Sequence, residues 1–282
     1  AGKLVRELRP QQVPAHLARL GSCYQAELLD AAAQACRGGV KRSHIVSYME
    51  DGSLLTEADL AAQAAFACGL PEIIACPMLG EEMSAQEQRH LWQYNEEGLW
   101  VVDPIDGTNN FINGLPHFAL SAAYVRHGRA QLGVVYNPVS DECFYAQRGQ
   151  GAYINGRTLP LRSVEKNLHE AIAGAEIKYL RSGKLSSRMN TLAPVGSIRS
   201  LGSSTLDWCY LAAGRYDVYV HGGQKLWDYA AGALIFEEAG GCLATLEGDD
   251  FWSGEHVFSR SVVAAMQPGV FAQWLKWIRD NQ

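Results

Sequence analysis

The sequence is short of paired cysteines, of clustered basic charge and of long apolar runs, and each shortage removes a class of protein. Its seven cysteines (Cys23, Cys36, Cys68, Cys76, Cys143, Cys209, Cys242) are odd in number and never spaced C-x-x-C. Neither a disulfide framework nor a zinc site is indicated, and a reducing compartment is expected. Lys and Arg are scattered singly in a chain of net charge −6 and pI near 5.8, which argues against a nucleic-acid partner. No apolar run approaches the roughly 18 residues of a membrane span, so no membrane partner is expected. The first residues lack the apolar core of a signal peptide, and the expected location is cytoplasmic. H-E-x-x-H, G-x-S-x-G, G-x-G-x-x-G and the lysine-ended phosphate loop are all missing, which leaves zinc hydrolase, serine hydrolase and nucleotide-loop readings without support. Gly149 and Gly151 are accordingly read as turn glycines.

What is present is enough apolar material, 48% of 282 residues, for a sizeable core. Apolar residues recur at helical spacing from about Pro14 to Ala35, and Asp51-Gly52 marks an exposed turn. Thr56-Glu57-Ala58-Asp59 has the capping-box pattern ahead of an alanine-rich helix reaching about Cys68. From Ala119 to Ile154, short β-rich runs separated by His127-Gly128, Asn137-Pro138, Gly149 to Gly151 and Asn155-Gly156 predict an antiparallel meander. From about Ala171 the pattern turns to α/β alternation, with helices near Ser203 to Ala213, Trp227 to Ala239 and Val270 to Ile278, and strands near Asp217 to Val220 and Val262 to Met266. No linker or internal repeat interrupts the chain, which predicts one layered domain over residues 1–282, an α+β half to about residue 165 and an α/β half after it.

The stretch of most interest is Leu99-Trp100-Val101-Val102-Asp103-Pro104-Ile105-Asp106-Gly107-Thr108. Four apolar residues predict a strand buried on both faces, and two carboxylates bracketing a proline then arrive at its end. Such a turn can aim Asp103, Asp106 and the Ile105 carbonyl at one point, an all-oxygen set of the kind Mg²⁺ prefers. Gly107-Thr108 would open a short helix whose N–H groups suit an anion. Taken singly, each acid has a plainer role. Asp59 and Asp228 suit helix caps, Glu81 a solvated loop start, and Asp-Pro and Asp-Gly ordinary turns.

Together, Gly80-Glu81-Glu82, the Trp100 to Phe111 stretch, and Trp227-Asp228-Tyr229-Ala230-Ala231-Gly232 running on to Glu238-Ala239-Gly240-Gly241 resemble the inositol monophosphatase family of Mg²⁺-dependent, lithium-sensitive sugar-phosphate phosphatases. The resemblance implies a layered αβαβα sandwich (α/β, or α+β) paired as a homodimer. Glu81, Asp103 and the Ile105 carbonyl would hold one Mg²⁺, Asp103, Asp106 and Asp228 a second, and Glu81 with waters a weaker third. Thr108, supported by Asp59, would orient the attacking water, and Glu81 joins them as a catalytic group. Gly107, Thr108, Gly202, Ser203, Ser204 and His221 would face the substrate, a small phosphorylated polyol or sugar. Inositol 1-phosphate is the first such compound to expect. Fructose 1,6-bisphosphate, histidinol phosphate and 3′-phosphoadenosine 5′-phosphate are the alternatives, and a non-catalytic regulatory protein on the same fold is the alternative of another class. One departure concerns the polyol pocket. Inositol-preferring members carry an acid seven positions before the metal-binding Asp, where this chain has His221, read either as a weaker hydroxyl partner or as an exposed loop histidine. The lysine often found before the Asp59 helix is also not evident between Val46 and Leu55.

Overall fold

The computed structural model describes residues 45–48, 54–162, 166–176, 185, 187–189, 193–248, 250–253 and 256–282. The helix expected near Pro14 to Ala35 and the Asp51-Gly52 turn lie outside the described residues. Strands β1 (Ile45–Tyr48) and β2 (Leu54–Thr56) form a small antiparallel pair that delivers the chain to helix α1 (Glu57–Ile73). The capping box forms as predicted: the Thr56 hydroxyl accepts the Ala58 and Asp59 N–H groups, and Asp59 accepts the Thr56 N–H in return. The helix runs past the expected end at Cys68 and through Pro71. A proline so near the C-terminus forfeits little of the hydrogen-bond ladder, and the Ile74 N–H closes onto the Leu70 carbonyl at 3.1 Å.

A seven-stranded sheet follows, in the order β3 (Met78–Gly80), β4 (Leu99–Asp106), β5 (Ala119–Arg126), β6 (Arg129–Asn137), β7 (Glu142–Gln147), β8 (Ala152–Ile154), β9 (Arg157–Thr158). All its pairs are antiparallel except β3 with β4. Helix α2 (Ala85–Trp92) links β3 to β4, and the short α3 (Thr108–Asn113) links β4 to β5. A five-stranded sheet has the order β11 (Ser197–Arg199), β10 (Ile172–Glu176), β12 (Val218–Gln224), β14 (Arg260–Ala265), β13 (Cys242–Ala244). Between the sheets lie α4 (Ser204–Ala212) and α5 (Leu226–Glu238), and α6 (Pro268–Asp280) covers the far face of the second sheet.

Each layer is fixed by alternation along the strands. Trp100 and Val102 of β4 pack with Ala62 and Phe66 of α1, whereas Leu99 and Val101 pack with the inner core around Trp208 of α4 and Phe236 of α5. The strand is thus buried on both faces, as its apolar run predicts. Tyr219 and Val262 of the second sheet share that inner core, while Val218, Val263, Trp274 and Ile278 form the outer one. The result is an αβαβα sandwich. The β7–β8 turn is tied to the middle layer, because the Gly149 and Gly151 N–H groups each donate to the Glu238 carboxylate at 2.8 Å. Both glycines have φ near +80°, so the turn reading holds, and the anion they face is the chain's own. Among the described residues no helix is long and apolar enough to cross a membrane, and Cys68, Cys76, Cys143, Cys209 and Cys242 are free.

Candidate metal centre

Strand β4 is irregular at its acidic end. Asp103 pairs with Ser121 and Asp106 with Ala119, so three steps on β4 face two on β5. Residues three apart on a regular strand point to opposite faces; the extra residue at Pro104-Ile105 brings both carboxylates to one side. That side is the one Val101 presents to the middle layer, where Asp228 is the third residue of α5. Asp103, Asp106 and Asp228 each place a carboxylate oxygen within 4.8 Å of the others. Glu81 joins from β3, whose parallel register sets Gly80 opposite Val102, and the Glu81 N–H donates to the Val102 carbonyl at 3.2 Å. Gln88 of α2 pins this turn by donating to the Gly80 and Glu81 carbonyls.

The electrostatics are unfavourable without a cation. Burial, then the charges of Asp228 and Glu82, push the Glu81 carboxyl well above its usual range. Asp103, 1% exposed, is pushed the same way by burial and by Glu81, Asp106 and Asp228. Glu81 and Asp103 share a hydrogen bond, and the other Asp103 oxygen, Oδ1, is buried with no hydrogen-bond partner. An all-oxygen set carrying excess negative charge and an orphaned buried acceptor fits a hard divalent cation.

Each remaining predicted residue can be placed. The Thr108 hydroxyl donates to the Ile105 carbonyl at 3.1 Å, a bond that leaves the carbonyl its second lone pair. Gly107 has φ +92°, and a Cβ there would lie 3.1 Å from the Gly202 and His117 carbonyls, so the turn requires glycine. Asp59 is 1% exposed and bonded to the Thr56 N–H and hydroxyl through one oxygen, while its Oδ1 is buried and unpartnered; burial lifts its carboxyl to about 6. Gly202 is exposed beside α3, held there by Asn110, whose side-chain amide donates to the Leu201 and His117 carbonyls at 2.7 Å.

Ser203, Ser204 and His221 each meet partners within the fold. The Ser203 hydroxyl turns inward to donate to Asp106 Oδ2 at 2.6 Å, and Ser204 bonds to the Tyr219 hydroxyl; both side chains are engaged within the fold. His221 is not an exposed loop residue. Strand β12 runs four residues beyond the expected end at Val220, so His221 pairs with Glu176 and Val262, is fully buried, and accepts the Gly223 N–H at its Nδ1. The sequence reading also stopped one residue short in the Ser203-Ser204 segment. Thr205 donates to Asp106 Oδ2 through both its N–H, at 2.7 Å, and its hydroxyl, at 2.6 Å. Its signal was a third hydroxyl in the first turn of a helix. Asn110, within the Trp100 to Phe111 stretch, holds a loop 91 residues away, a partner that no local pattern announces.

Five alternating layers carry an acidic cluster at the strand ends that could hold a metal ion. The chain belongs to the inositol monophosphatase family, whose model matches residues 22–280, a family of phosphoric monoester hydrolases. It is 39% identical over 173 residues to an inositol-1-monophosphatase of Rhizobium meliloti, a match covering 60% of this chain and 62% of that protein, less than two thirds of its length. It is 35% identical over 249 residues to the Nus factor SuhB of Pseudomonas aeruginosa, covering 81% of this chain and 89% of the relative. Among solved structures, an IMPase of Thermotoga maritima superposes with a TM-score of 0.73 at 28% identity, covering 93% of this chain and 97% of that one.

Proposed function

We propose that the protein is a Mg²⁺-dependent phosphomonoesterase acting on a small polyol or sugar phosphate, with inositol 1-phosphate the first candidate. The observation that carries this reading is the convergence of Asp103, Asp106 and Asp228 within 4.8 Å at the strand ends. Glu81, Asp103 and the Ile105 carbonyl would hold one ion, Asp103, Asp106 and Asp228 a second, and Glu81 with waters a third. These residues would hold Mg²⁺, which would supply Lewis-acid chemistry, activating a water and stabilising the leaving alkoxide. Thr108, supported by Asp59, would orient the attacking water, with Glu81 as a further catalytic group. Backbone N–H groups of Gly107 and Thr108 position the phosphate, and exposed Gly202 borders the leaving group. Ser203, Ser204 and His221, also expected to face substrate, are engaged within the fold and are left out of this reading.

A Thermotoga maritima relative, 39% identical over 167 residues, is named fructose-1,6-bisphosphatase/inositol-1-monophosphatase, which makes fructose 1,6-bisphosphate the second compound to assay. Histidinol phosphate and 3′-phosphoadenosine 5′-phosphate complete the panel. The test is phosphate release from these esters with Mg²⁺ and with excess EDTA. Release that depends on Mg²⁺, resists replacement by Ca²⁺ and falls with Li⁺ is expected; turnover undiminished in EDTA would overturn the mechanism. The similarity to a Nus factor favours a second reading, a regulatory protein that works through partners. Absence of turnover on every ester, with Mg²⁺ still bound, would favour that one. Homodimeric pairing and a cytoplasmic location are carried over from the sequence reading, and sedimentation and cell fractionation measure them.

A further inference from the structure

We infer that Ser203 and Thr205 set the cation preference of the centre by restricting Asp106 to one ligand oxygen, an inference that rests on the metal-site reading above. Asp106 Oδ2 accepts three short hydrogen bonds, from the Ser203 hydroxyl at 2.6 Å, the Thr205 N–H at 2.7 Å and the Thr205 hydroxyl at 2.6 Å. A carboxylate oxygen has about two lone-pair directions, so three donors leave none for a cation. The donors are also fixed in place. Ser203 is 1% exposed and Thr205 fully buried, so neither hydroxyl is free to turn to solvent. Ser203 occupies the residue before α4, where a serine ordinarily caps its own helix, yet it makes no such bond. The carboxylate of Asp106, delivered from the other sheet, accepts the first-turn N–H of Thr205 in its place. The helix start is completed by the very group that faces the metal cluster.

The consequence is a coordination constraint. With Oδ2 saturated, only Oδ1 of Asp106 is available to a cation, and the residue is a one-oxygen ligand. Mg²⁺ demands a compact octahedral shell and is served well by single carboxylate oxygens, whereas Ca²⁺ takes six to eight oxygens and gains from carboxylates that bind through both. Ser203 and Thr205 are therefore positioning residues that disfavour Ca²⁺ without touching the ion. Removing their hydroxyls leaves one N–H on Oδ2, and the carboxylate can then offer both oxygens.

The experiment is titration calorimetry of MgCl₂ and of CaCl₂ into the full chain, stripped of metal and free of substrate, read as the ratio of the Ca²⁺ to the Mg²⁺ dissociation constant. Thr205→Ser keeps the hydroxyl and is expected to keep the ratio within about twofold of the parent. Ser203→Ala/Thr205→Val, which leaves only the Thr205 N–H on Oδ2, is expected to lower the ratio by about tenfold or more, the scale of one or two hydrogen bonds, whereas Thr205→Val alone leaves two donors there and is expected to keep it within about twofold. Circular dichroism establishes that each variant is folded; should that double variant not fold, Ser203→Ala/Thr205→Ala, which likewise leaves one N–H on Oδ2, takes its place in the comparison with Thr205→Ser. An unchanged ratio in the double variant, or equal weakening of both ions as a purely structural role predicts, overturns the inference while the metal site stands. A parent chain that binds neither ion overturns the metal reading itself.

Discussion

At the start of α1, Asp59 accepts the Thr56 N–H at 2.7 Å; at the start of α5, Asp228 accepts the Lys225 N–H at 2.9 Å. Both acids are the third residue of a helix, and both satisfy a donor that the helix itself cannot. What differs is the neighbourhood. Asp59 shares its bonded oxygen with the Thr56 hydroxyl, and burial alone is the leading cause of its raised carboxyl range. Asp228 adds its charge to Glu81 and Asp103 and completes the trio with Asp103 and Asp106. One local device thus serves mainly to start a helix in the first case and to bring an acid into the carboxylate cluster in the second. The choice is made by what the tertiary fold places opposite the helix end.

The largest test of that contrast is Asp228→Asn beside Asp103→Asn. Each amide keeps shape and loses charge, so kcat should fall by about three orders of magnitude or more, several kcal/mol of transition-state stabilisation. Thermal stability without metal should hold or rise, since a repelling charge has gone. A purely capping Asp228 predicts the reverse, near-normal rates and about 1 kcal/mol of lost stability.

Asp59 should show itself in pH dependence. Its carboxyl titrates at about 6 in the fold against 3.8 when free, so between those values the native state holds the extra proton. Stability contributed by the neutral form is present below about pH 4 and lost as pH rises through 6, in total roughly 3 kcal/mol by the usual conversion. Urea titrations across that window, in excess Mg²⁺ to keep the cluster ionised, should show the decline in the parent and a flatter profile in Asp59→Asn. Equal slopes would mean that the Asp59 carboxyl is not held neutral.

Cation binding should sharpen the difference further. At Mg²⁺ a hundredfold above its dissociation constant the parent gains about 2.7 kcal/mol. Asp59→Asn should keep that gain in melting experiments, and Asp103→Asn should lose most of it.

Two smaller effects follow. If Asp59 acts through Thr108, rate losses in Asp59→Asn and Thr108→Val should not add, with a coupling of about 0.5 to 3 kcal/mol in a double-mutant cycle. Additive losses would separate the two residues. Last, His221→Gln should change the preference for inositol 1-phosphate over glycerol 2-phosphate by less than about fivefold, below the scale of a lost hydrogen bond to substrate. A larger change in that ratio would return His221 to the leaving-group pocket.

Where the determinants are local, the sequence decided the outcome. The Thr56 to Asp59 capping box needs only residues three apart, and the β4 run needs only its own apolar pattern. The turn at Gly107 needs only a residue free to take positive φ. The motif order that marks the family is equally a property of the chain in sequence. Determinants that join distant segments were out of reach. Nothing in Ser203 or Thr205 says that their hydroxyls meet an acid 97 to 99 residues away, because a helix start binds whatever acceptor the neighbouring sheet delivers. Nor does His221 announce its burial: Val220-His221-Gly222-Gly223 reads as a strand giving way to a turn, and only pairing with β10 and β14 carries the strand on. Sequence patterning specifies which residues can start a helix or leave a strand, because those choices rest on one segment's own hydrogen bonds. Which acids converge, and which hydroxyls hold them, is decided when two sheets pack around α4 and α5, because the partners exist only in three dimensions.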